Sequence, residues 1–162
     1  MKKIIATICA LALTLGLSTT AFAAEIDESS PEKNTDVTLT VSIAPTYTVT
    51  IPADTNIDFN AESTDFGKIE LTAAQIDPGY VVKVSAEAGE LKNGADQSKT
   101  IPYALNATAA EGTEKSTFTS AEYLTAGDYT PLTIDITKDD WNKAFAGSYT
   151  GVVTFKVAYI QK

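Results

Sequence analysis

The feature that most constrains this chain is a set of short runs in which every second residue is apolar. Val37, Leu39, Val41 and Ile43 alternate with Thr38, Thr40 and Ser42, and after Pro45 the pattern resumes as Tyr47, Val49 and Ile51 between Thr46, Thr48 and Thr50. Near the other end Leu132, Ile134 and Ile136 alternate in the same way, as do Val153, Phe155, Val157 and Tyr159. A period of two puts all the apolar side chains of a run on one face of a pleated strand, whereas a helix would scatter them around its axis. The many threonines and β-branched residues favour the same state.

Further strands are expected at Lys68 to Ile76, Tyr80 to Ala86 and Ile101 to Ala107, with a short one at Ile57-Asp58-Phe59 and a weak one near Phe118 to Leu124. The turn signal Asp77-Pro78-Gly79 precedes Tyr80, and Gly67 marks a loop. Thr137 and Asp140 stand at capping-box spacing, which predicts one helical turn before Gly147. The last run, Tyr149 to Ile160, reads as the longest strand and a central one, with Val153, Phe155, Val157 and Tyr159 in the core. About seven or eight short strands with turns between them predict an all-β fold, an immunoglobulin-like two-sheet antiparallel sandwich.

The flanks set the domain limits. Met1-Lys2-Lys3, an apolar run from Ile4 to Leu17 and the small-residue stretch ending Ala21-Phe22-Ala23 read as a secretory signal peptide over residues 1–23. The run is too short to span a bilayer, so no membrane span is expected once it is removed. Residues 24–36 carry Glu25, Asp27, Glu28, Glu32 and Asp36 with few large apolar groups, a composition expected of a flexible acidic leader. Residues 37–162 form the expected sandwich domain. Within it Val37, Leu39, Val41 and Ile43 are a candidate strand-exchange segment, able to complete either their own sheet or that of a neighbour. Its tether, Ala44-Pro45, is short enough to favour pairing within the same chain.

Composition narrows the chemistry. Loss of Lys2 and Lys3 takes the formal charge from −9 to −11, so nucleic acid is not an expected partner. The chain has no histidine and no arginine, and its one cysteine, Cys9, lies in the apolar run that is removed. Without them there is no Ser-His-Asp or Cys-His nucleophile and no ordinary zinc site. No enzyme and no cofactor are therefore expected, and no catalytic or metal-ligating residue is assigned. Acidic pairs such as Asp139-Asp140 lack the spacing of a calcium loop and read as solvated surface. Lys83 and Lys156 fall on the polar faces of their strands, which argues against a crosslink. Tyr103, Tyr129 and Trp141 are candidate ligand aromatics, because flat rings can stack on a sugar.

Four segments carry a family resemblance: Val41-Ser42-Ile43-Ala44-Pro45-Thr46-Tyr47-Thr48-Val49, Ile57-Asp58-Phe59 with Gly67 beyond it, Pro102-Tyr103-Ala104-Leu105, and Ala146-Gly147-Ser148-Tyr149-Thr150-Gly151-Val152-Val153-Thr154-Phe155. Their order resembles the spore coat protein U family and related fimbrial subunits. The closing strand is also similar to WxL surface domains, although Trp141 is followed by Asn142 and Lys143, so peptidoglycan binding does not carry over. Tyr47 stands where the spore coat family commonly has a cysteine. The resemblance implies an exported structural or adhesive subunit at the cell surface, whose partners are other copies of itself or related subunits. The alternative is a self-contained secreted binding module with a glycan partner.

Overall fold

The computed structural model describes Glu28, residues 37–108 and residues 114–162. The expected signal peptide and nearly all of the acidic leader lie outside the described residues. The chain divides into two units, Met1–Ala44 and Pro45–Lys162. In the first, residues 37–44 carry no regular secondary structure, so the strand expected over Val37 to Ile43 is not formed. Its apolar side chains lie in solvent, Val37 at 76%, Leu39 at 91%, Val41 at 83% and Ile43 at 60% exposure.

The second unit is all-β. Its strands are β1 (Thr46–Thr50), β2 (Ser63–Gln75), β3 (Tyr80–Ala88), β4 (Glu90–Asn93), β5 (Thr100–Pro102), β6 (Ala104–Thr108), β7 (Lys115–Thr117), β8 (Ser120–Tyr123), β9 (Tyr129–Asp135), β10 (Tyr149–Thr150) and β11 (Val153–Gln161), with one short helix, α1 (Lys138–Lys143). Every pairing is antiparallel. A five-stranded sheet runs β1-β2-β9-β6-β7, one three-stranded sheet runs β11-β3-β8, and a second, smaller one runs β10-β4-β5.

The sequence pattern undercounts the strands because two runs change sheet partway. At Tyr103 the expected strand Ile101 to Ala107 breaks into β5, paired with β4, and β6, paired with β9. Likewise the final run is interrupted at Gly151 and Val152: β10 pairs with β4, and β11 pairs with β3. Gly151 lies close against β4, where an added Cβ would meet the Leu91 side chain. Gly67 is not in a loop but inside β2, at a bulge where the register with β9 skips between Asp65 and Gly67. Its φ of +97° suits glycine, and its N–H donates to Asp65 Oδ1 at 2.8 Å. Ile57-Asp58-Phe59 forms no strand and ends in a turn.

The core joins the inner faces of the two larger sheets. Ile69 and Leu71 of β2, Leu132 and Ile134 of β9 and Leu105 of β6 pack with Val82 and Val84 of β3 and Tyr123 of β8. Phe118, Ile101 and Ile136 extend the cluster. Tyr123 is buried but keeps a partner, its hydroxyl donating to Thr130 Oγ1 at 2.8 Å. The helical turn has the expected cap: the Thr137 hydroxyl oxygen accepts from the Asp140 N–H at 3.2 Å.

β11 departs from expectation. It is an edge strand, bonded to β3 alone, and β2 is the longest strand. Val153, Phe155 and Tyr159 are only partly buried and Val157 is 39% exposed, so the face expected to be core is half covered. The register is nonetheless as expected, since Phe155, Val157 and Tyr159 stand opposite Ala86, Val84 and Val82 of β3.

Candidate binding groove

The half-covered face of β11 is one wall of a groove of about 660 Å³. The facing wall is the irregular stretch from Ile51 to Ile57, which continues β1 after Pro52 removes a ladder N–H and ends the strand. The floor is made of core side chains, among them Phe66, Leu91, Ile101 and Ile134. An ordinary sandwich covers such residues with a further strand. Among the described residues β1 is bonded to β2 alone and β11 to β3 alone, so each presents one main-chain edge that none of those residues pairs.

Aromatic side chains frame the open part. Phe66 of β2 and Phe155 of β11 stack with ring centroids 6.3 Å apart, linking the sheets at the floor. Trp141 of α1 meets Phe59 edge-on at 5.6 Å and donates its indole N–H to the Ala61 carbonyl at 2.9 Å. Tyr149 holds the turn after α1, its hydroxyl donating to the Phe145 carbonyl at 3.0 Å. The rim is apolar and exposed: Ile51, Phe59 and Val152 all face water.

The other end of the β11 edge is shut. Tyr159 stacks on Tyr47 of β1, with centroids 5.8 Å apart and planes 28° apart, and on Tyr80 of β3, at 4.9 Å and 23°. The Tyr159 hydroxyl donates to Asp77 Oδ2 at 3.0 Å and accepts from the Asp77 N–H at 2.8 Å. Loss of water around this hydroxyl, with the Asp77 carboxylate beside it, holds the phenol above its ordinary titration range. The two sheet edges are therefore bridged at Tyr47 and Tyr159, while Val153 and Phe155 line the groove.

The structure brings two of the three candidate ligand aromatics, Tyr103 and Trp141, to this groove. Tyr129 is not among its walls; it lies on β9, with the Lys68 ammonium 5.2 Å from its ring centre. The polar ends of the two groove aromatics are committed to the protein itself. Trp141 serves Ala61, and the Tyr103 hydroxyl accepts from the Gly89 N–H at 3.2 Å. The rest of the groove escaped sequence reasoning. Phe66 sits next to the bulge glycine, which disguises its strand, while Phe59 falls in the expected short strand at Ile57-Asp58-Phe59 and Val152 in the final run, where neither placement marks a groove. Among the described residues no group of three or more potential metal ligands comes together, and no helix is long and apolar enough to cross a membrane.

No protein-family model matches the chain, and neither does any curated protein, so the resemblance to spore coat protein U and WxL domains rests on sequence motifs alone. Among solved structures, one similar chain comes from a chaperone–tip adhesin complex of CFA/I fimbriae. It is 14% identical, with a TM-score of 0.43, and the match covers 68% of this chain and 41% of that one.

Proposed function

We propose that this chain is an exported structural or adhesive surface subunit, and that copies assemble when Val37 to Ile43 of one is laid into the groove of another. The observation that carries this reading is a groove floored by core side chains, lying between two unpaired strand edges. A segment that fits it must be extended, apolar at every second residue and free to pair. Val37, Leu39, Val41 and Ile43 have that spacing, form no strand and are exposed. Their two-residue step matches that of Val153 and Phe155, the partly buried β11 residues that line the groove. Docked there, the segment would bond its main chain to β11 and bury its alternate side chains, as strand addition does in general. Export through a signal peptide at residues 1–23, with residues 24–36 as a leader, belongs to the same proposal.

The test is Val41→Asp in the exported protein. The substitution adds a charge that has no partner in an apolar groove, while Val41 in the isolated chain is already in water. Sizing chromatography is expected to show ladders for the natural protein and a folded monomer for V41D. Ladders that survive V41D unchanged would remove the segment from the assembly mechanism. A natural protein that stays monomeric and is retained on a glycan array would favour the secreted binding module instead.

A further inference from the structure

The two ends of the β11 edge differ, and the difference bears on which copy of the segment can dock. Resting on the strand-exchange reading above, we infer that the Tyr47–Tyr159–Tyr80 stack is a stop that makes the groove reject its own chain's segment and accept that of a second copy. β1 starts at Thr46, one residue before Tyr47, so any strand joined to it through Ala44-Pro45 starts from the shut end. Insertion of a strand between two others needs about twice the usual inter-strand spacing of roughly 4.8 Å. The Tyr47 and Tyr159 rings stack with their centroids 5.8 Å apart, which leaves no room for a strand to pass between them, and the Asp77 hydrogen bonds hold the Tyr159 ring in place.

A segment tethered there must pass outside the rings before it can turn inward. The distance along β11 from Tyr159 to Phe155 is four residues, or roughly 13 Å. Ala44 and Pro45 supply about 7 Å of that at full extension, so Ile43 and Ser42 are spent on the approach. At least one of the four apolar side chains, Ile43, is then lost as an anchor. Such a strand would also run parallel to β11, the only parallel pair in a molecule whose described pairings are all antiparallel and a geometry slightly weaker per residue. A strand from a second molecule is not tethered at the shut end. It can enter beside Val153, where the walls are parted, run antiparallel to β11 and advance until it reaches the tyrosines.

Tyr47→Ala removes one ring of the stop. In sizing chromatography of the full exported protein, Y47A is expected to shift from ladders toward monomer, because its own segment can now enter. That monomer is expected to unfold at a higher temperature than the V41D monomer, whose groove stays uncovered, and combining Y47A with V41D should abolish the gain. Ladders of Y47A identical to those of the natural protein, with V41D still monomeric, would overturn the inference and leave the strand-exchange reading standing. A Y47A monomer no more heat-resistant than the double variant would also overturn it, since that marks a weakened fold and not self-insertion. If V41D itself keeps the ladders, the strand-exchange reading fails and the inference falls with it.

Discussion

Single side chains in the second unit divide by whether a covering layer exists. Leu71 is wholly buried, so Leu71→Ala is expected to cost about 2–5 kcal/mol. Val157 has the same apolar character but is 39% exposed in the separate chain, and Val157→Ala should stay within about 1 kcal/mol in urea unfolding of the V41D monomer. Similar costs at the two sites would mean that this face of β11 is covered in the monomer. Titration offers a second measurement at this scale. Burial works against the charge on Asp135, but hydrogen bonds with Ser63, Lys115 and Asn106 and the nearby Lys115 charge outweigh it, holding the carboxyl below its ordinary value of 3.8. Because the folded value is the lower one, the stabilisation is complete above the ordinary value and is lost as pH falls through the folded value. Asp135→Asn should therefore flatten the fall of Tm with acid below about pH 4, measured against the natural chain.

Strand identity was legible from alternation, but strand partnership was not. Period two says that one face of a run is buried without saying what buries it. Val37 to Ile43 and Val153 to Tyr159 show the same pattern in the sequence, yet the first forms no strand in its own chain and the second is a half-covered edge. Alternation alone does not say whether a covering layer exists, and at neither run do the described residues supply a full one. The breaks at Tyr103 and Gly151 were hidden for another reason, since a strand that changes sheets keeps its alternation through the corner. Gly147 is legible as a turn glycine, but its actual constraint is tertiary. It has φ of +147°, and a Cβ there would fall on the Asn93 side-chain amide. Asn93 is 3% exposed; its Oδ1 accepts from the Ala95 N–H at 2.9 Å and its Nδ2 donates to the Ala146 carbonyl at 3.3 Å. Gly147→Ala is thus expected to lower stability by about 1–3 kcal/mol in thermal unfolding, with the smallest sheet giving way first.

At the scale of the whole molecule, the fold class was readable because an all-β chain with short turns has few ways to bury its alternating faces. The groove was not, because its walls come from stretches as far apart as Ile51 and Phe155. A surface this apolar changes how stability depends on conditions. Whatever covers the groove binds the folded chain and not the unfolded one, so the melting temperature should climb with protein concentration in the natural chain and stay flat in V41D. The molecule also carries its own optical gauge of that event. Trp141 is the chain's single tryptophan, and it stands in the groove wall. Its emission colour reports how much water surrounds one indole and no other. A blue shift as subunits join, absent in V41D, would let the filling of the groove be timed in a cuvette without a label.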